Sequence, residues 1–144
     1  MIKTRLLTVI TTIVASSALA KEPIEVKVVP PQCVTTRVAK IHPAQKLEPG
    51  EKEEPVEGEP GSFFRCGACA GSMEYTNDIW HITAYARVTA MEESRKGDVV
   101  TYCLVSKYIY CPKGDDRGKT YIVKNHRTGK TWKATNGSHI CGGA

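Results

Sequence analysis

Apolar and polar positions along the chain change rhythm several times, and each change marks an element. Ile24, Val26 and Val28 alternate with Glu25 and Lys27, the period-2 signature of a strand. Pro30-Pro31 interrupts that run, and a second apolar stretch from Val34 to Ile41 follows Cys33, so residues 24–42 are expected to be extended. Residues 99–111 are dense in valine, tyrosine, isoleucine and threonine, which suit a pleated surface. There Cys103 and Cys111 share a parity with Val99, Val105 and Ile109 and are expected on one face. Pro112 to Gly118 reads as a turn. Residues 119–125 and 130–135 flank His126-Arg127-Thr128-Gly129 and predict a hairpin with a four-residue loop. Tyr121, Val123, Trp132 and Ala134 would occupy one of its faces.

Residues 79–91 carry two rhythms. Ile82, Ala84, Ala86, Val88 and Ala90 would line one side of a strand. Asp78 as a cap, a stripe of Trp80, Ala84, Val88 and Met91, and Gly97 beyond Arg95-Lys96 would serve a helix. The β-branched residues and tyrosine favour the strand. The expected fold class is therefore mainly β, a small disulfide-stapled antiparallel sheet or sandwich; the alternative is α+β with a helix near residues 78–96.

Residues 43–61 differ in kind. They hold four prolines, three glycines and six glutamates against two lysines, a net charge of −4. Such a stretch buries too little apolar surface to offset its ordering entropy. It reads as an acidic linker between an N-terminal extended segment (residues 21–42) and a β-rich domain (residues 62–144).

The first twenty residues change the picture of where the protein works. Lys3 and Arg5 precede an uncharged, moderately apolar run, and Ala18-Leu19-Ala20 supplies the small residues of a cleavage site before Lys21-Glu22-Pro23. This is the layout of a signal peptide, with cleavage expected after Ala20. The run is too short to span a bilayer comfortably, since a spanning helix needs about 20 apolar residues. A secreted, extracellular protein without a membrane span is expected.

Six cysteines, Cys33, Cys66, Cys69, Cys103, Cys111 and Cys141, all lie beyond that segment. An even number in a short exported chain reads as three disulfides, and six cysteines allow 15 pairings. Cys66-Gly67-Ala68-Cys69 has the spacing of a redox pair, but an acidic Pro/Gly-rich stretch precedes it where a thioredoxin-like frame needs a strand. A second Cys/His pair at knuckle spacing, which a zinc site would need, is absent. Structural disulfides are the favoured reading.

The net charge of +5 is unevenly spread. Residues 113–133 hold seven Lys/Arg and two Asp. Lys124, Arg127, Lys130 and Lys133 cluster beside Trp132, and such a hairpin could grip an anionic polymer. The plainer reading, a solvated edge whose lysines discourage strand pairing, is favoured. The four histidines show no ligand spacing, and no nucleophile elbow or phosphate loop is present, so neither a catalytic set, a metal nor a cofactor is expected. Asn136-Gly137-Ser138 is a glycosylation sequon, expected to be exposed.

In the layout of residues 1–20 and its six cysteines, Cys33, Cys66, Cys69, Cys103, Cys111 and Cys141, the chain resembles the small secreted cysteine-rich avirulence effectors of plant-pathogenic fungi, those of the Leptosphaeria type. The resemblance implies a protein made during infection that suppresses host defence and is recognised by a matching plant resistance protein; a monomer that binds a host protein and is not an enzyme is expected. It leaves open whether action is apoplastic or in the host cytoplasm. The alternative is a bacterial periplasmic or secreted binding or inhibitor protein.

Overall fold

The computed structural model describes residues 21–47, 49–61 and 63–143; the expected signal peptide lies outside them. Among the described residues seven strands and one helical turn follow in order: β1 (Ile24–His42), β2 (Glu54–Pro55), β3 (Phe63–Tyr75), β4 (Trp80–Val88), α1 (Thr89–Glu92), β5 (Val99–Ile109), β6 (Lys119–Asn125) and β7 (Thr131–Thr135). All pairings are antiparallel, and neighbours run β1–β5–β6–β7–β4–β3–β2. β1 also pairs with β3. Its first part, from Ile24↔Ile109 to Arg37↔Val99, lies on β5, and its end, from Val38↔Tyr75 to His42↔Ser72, lies on β3. The sheet thereby closes on itself as a six-stranded barrel, with β2 a short addition outside β3. Closure removes most of the exposed strand edge that an open sheet would present.

Residues 80–88 form a strand, and the helical signal survives only as the single turn Thr89–Glu92. β-Branched Ile82, Thr83 and Val88 suit the sheet, and β4 gains ladder partners on both sides, β3 and β7. The expected single face is corrected by a bulge. Ala70 pairs with both Ala84 and Ala86, and Tyr85 between them has φ 57°. An extra residue swaps the parity of a strand. His81 and Thr83 are buried ahead of the bulge and Ala86 and Val88 join the central core after it. α1 packs Ala90 and Met91 inward, and Gly71 makes room for it: a Cβ there would collide with the Met91 methyl and Thr83 Oγ1.

The core lies inside the barrel around Trp132, with Val38, Met73, Val100 and Val123 among the buried neighbours. The hairpin face read from the sequence points here, since Val123 pairs with Trp132 and Tyr121 with Ala134. Gly129 at φ 71° serves the expected loop, and Asn125 Oδ1 accepts from the Arg127 and Thr128 backbone N–H groups.

Three disulfides staple the barrel: Cys33–Cys103, Cys66–Cys69 and Cys111–Cys141. The first joins register partners on β1 and β5, so the N-terminal strand is a wall of the same barrel. The third ties the segment after β5 to the C-terminal segment, closing a separation of 30 residues. The register of β1 on β5 breaks between Lys27 and Gln32, across Pro30-Pro31. Proline has no N–H to give a ladder. The acidic stretch lies along the barrel: β2 pairs with Phe64 and Arg65, Glu53 meets Arg87 at 2.6 Å, and Glu59 meets Lys133 at 2.9 Å. Cations on the barrel wall hold a segment whose composition alone suggested a mobile linker.

Candidate functional site

In the basic hairpin the tryptophan turns inward, while the cations stay at the surface and most of them are paired with carboxylates. Trp132 is fully buried, so it offers no face to a ligand. Arg127 makes a two-pronged pair with Asp98, at 2.7 and 2.9 Å, and donates to the Glu93 carbonyl. Lys130 meets the Glu93 carboxylate at 2.6 Å, and Lys133 meets Glu59. Of the four cations, Lys124 alone has no ion-pair partner among the described residues. Asp98 is buried, and the Arg127 guanidinium, the Asn125 amide and the Arg95 backbone N–H hold its carboxyl well below the usual range against the upward push of burial. Asn125, itself fully buried, also donates to Ser94 Oγ. The hairpin is fastened to the α1–β5 connection by charge, and any phosphate would compete with carboxylates already in place.

A second group of side chains comes together from four strands. Tyr75 of β3, His81 of β4, Tyr102 of β5 and Tyr121 of β6 form an aromatic cluster. His81 stacks on Tyr121 with centroids 4.1 Å apart and meets Tyr75 and Tyr102 edge-on at 5.1 and 4.8 Å. Tyr75 Oη lies 3.1 Å from His81 Nδ1. Burial of His81 pushes its pKa down to about 4, so the ring is neutral near pH 7. Burial, with Tyr102 nearby, pushes the Tyr75 hydroxyl well above its ordinary value. The neutral tautomer follows from counting protons: the Tyr75 hydroxyl donates to Nδ1, which leaves the ring proton on Nε2. The reverse assignment would strand the hydroxyl proton as well. Nε2 is buried with no hydrogen-bond partner among the described residues.

Above this cluster the β3–β4 turn projects. It is held at several points: Thr76 N–H donates to the Arg37 carbonyl, Tyr75 N–H to the Ile79 carbonyl, and Asn77 Nδ2 to Tyr102 Oη at 2.9 Å. Asp78 occupies the left-handed region at φ 61°, where aspartate is better tolerated than most residues. The turn holds Ile79 and Trp80 outward, 42 and 51% exposed. A cleft lies on either side of Asp78-Ile79-Trp80. One, about 500 Å³, is bounded by β1 and β3 with Ser72 and Thr76. The other, about 340 Å³, is bounded by Asp116, Lys119, Tyr121 and Asn136, and His81 also lines it. Both fall near the lower end of the range for ligand pockets, about 300–1,000 Å³.

The remaining candidates are dispersed. Cys66 and Cys69 are joined and buried within β3. His42 pairs with Glu74 and His126 with Thr101 on separate walls. Among the described residues no group of three or more His, Cys, Asp or Glu is placed to hold a metal ion. No helix there is long and apolar enough to cross a membrane. Asn136 is half-buried rather than exposed: its amide accepts from Lys119 N–H and donates to the Asp116 carbonyl, tying the end of β7 to the turn before β6.

The Trp80 site was missed in the sequence because residues 79–91 carried two rhythms. Strand parity does place Trp80 opposite His81, one out and one in. It does not place Tyr75, Tyr102 and Tyr121 around His81, which only closure of the barrel does.

Compared with known proteins, the chain has no significant match to any family model, curated protein or solved structure. What fold and site define is a small antiparallel barrel, mainly β, stapled by three disulfides and carrying one outward-facing tryptophan between two clefts.

Proposed function

We propose that this chain is a secreted virulence or avirulence effector that acts by binding a host component and is recognised by a plant resistance protein. The observation that carries the reading is the stapling: Cys33–Cys103 and Cys111–Cys141 tie the N-terminal strand and the C-terminal segment to β5 and the residues after it. Small exported domains use such bridges where a core is thin, each adding about 2–4 kcal/mol. The signal-peptide layout of residues 1–20 points the same way. On this framework Trp80, Tyr85 and Tyr110 are each about half exposed, and aromatic side chains on a fixed backbone are the usual anchors of binding surfaces.

The test is genetic and physiological. Expression of the secreted chain in a panel of host plant lines should provoke localised cell death in lines that carry a matching resistance gene. Deletion of the gene should weaken infection of lines that lack it. If no line responds and deletion leaves infection unchanged, the reading is wrong.

A further inference from the structure

We propose that the two clefts flanking Trp80 form one binding site for a neutral oligosaccharide, with a sugar ring stacked on the exposed indole. The inference deepens the binding reading above and rests on it; it names the chemistry of the ligand.

The chemistry is complementary on three counts. A pyranose presents an apolar C–H face, and Trp80 offers an aromatic face that is 51% exposed beside Ile79. The rim of a sugar is hydroxyl, each group both donor and acceptor. Around Trp80 stand hydroxyls (Ser72, Thr76), an unpaired carboxylate (Asp78) and the Tyr121 phenol, which supply both hydrogen-bonding roles. His81, which lines the smaller cleft, has its Nε2 buried with no hydrogen-bond partner among the described residues. The clefts, about 500 and 340 Å³, share the Asp78-Ile79-Trp80 lining and extend from it to different walls, so a chain of sugars can continue past the stacked ring.

Charge argues against the other ligand classes. Asp116 is paired with Lys119 at 2.8 Å and Glu74 with His42 at 2.8 Å. Among the described residues Asp78 alone of these carboxylates lacks an ion-pair partner, so the site carries no positive excess to attract a nucleic acid or an acidic polysaccharide. Of the aromatic rings that line the clefts Trp80 alone is exposed, with Tyr75 and His81 buried and Tyr121 half-buried, whereas quaternary ammonium groups are held in cages of several open faces. The turn is pre-shaped by its bonds to β1 and β5, which limits the ordering cost of binding.

The two tryptophans make the test direct. Trp132 is fully buried and Trp80 half exposed, so acrylamide quenching of the full chain, expressed in oxidised form, reports mainly on Trp80. The probes are the β-1,4-linked hexaoses of glucose, N-acetylglucosamine, xylose and mannose, with heparin as the anionic comparison. At least one neutral hexaose is expected to shift the emission to the blue and protect it from quencher. By calorimetry, Trp80→Ala should weaken that binding by about tenfold or more, with Trp80→Tyr intermediate and the exposed Val29→Ala, outside both clefts, unchanged. The melting temperature of each variant checks that it folds. The proposal is overturned if no neutral hexaose binds at millimolar concentration, if Trp80→Ala binds as well as the parent, or if heparin alone binds. A chain that triggers the host response yet binds no hexaose refutes the saccharide site and leaves the effector reading standing. One that binds a hexaose through Trp80 without a host response supports the site and removes that reading.

Discussion

The protein's two tryptophans sit in regions that treat an aromatic ring in opposite ways. Trp132 belongs to the hairpin with the most positive charge, yet it is the centre of the core, and three of the four nearby cations are spent on Asp98, Glu93 and Glu59. Trp80 belongs to a turn with little net charge, and it stands half exposed between two clefts. Parity decides the difference. Trp132 shares its inward register with Val123, while Trp80 is the outward neighbour of His81. A cluster of like charges in the sequence is thus a poor guide to a surface, because the opposite charges that cancel it come from elsewhere in the chain.

Replacing each tryptophan by alanine breaks this comparison most sharply. Trp132→Ala removes the largest fully buried side chain and leaves a cavity, so stability should fall by about 3–5 kcal/mol in denaturant titration. Trp80→Ala should change it by less than about 1 kcal/mol, since the ring is already half in water. Equal losses would mean that Trp80 is structural.

The disulfides rank next. Replacing Cys111 and Cys141 together by serine should cost about 2–4 kcal/mol by freeing the unfolded chain. An unchanged melting temperature would show that this bridge does not hold the C-terminal segment to the barrel.

Acid separates the two regions by their titrating groups. His81 titrates at about 4 in the fold against 6.5 when unfolded, so between those values the unfolded state binds more protons. Stability is therefore full above about pH 6.5 and falls as the pH drops toward 4. Asp98, with its folded value depressed, contributes stability that is present above its unfolded value near 3.8 and lost at still lower pH. Chemical denaturation from pH 7 to 3 should show a loss beginning near 6.5 in the parent and a flatter profile down to about 4 in His81→Phe. A parent profile flat to pH 4.5 would refute the buried neutral histidine.

Strands, hairpin and staples were legible in the sequence because alternation, turn residues and an even cysteine count are local signals. Val123, Trp132 and Ala134 were placed on one face by parity alone, and they share it. Closure was not legible, because β1 divides its length between β5 and β3 and nothing in residues 24–42 announces two partners. Nor was the His81 cluster, whose members are contributed by four strands. The bulge at Tyr85 hid it further, since alternation counted back from Val88 puts Ile82 where His81 and Thr83 belong.

The smallest effects lie on the hairpin surface. Lys130 and Glu93 are each 48% exposed, so a double-mutant cycle between them should give a coupling of about 0.5 kcal/mol or less, vanishing in molar salt. Their worth is in masking charge. Glu93→Gln leaves Lys130 without its carboxylate, and joined with Glu59→Gln it does the same for Lys133, beside the unpaired Lys124. Retention on immobilised heparin should therefore rise in the double variant, with a steeper salt dependence as added cations become available to displace counterions. Unchanged retention would mean that the glutamates do not mask the hairpin, and that its charge stands open to an anionic polymer in the parent protein.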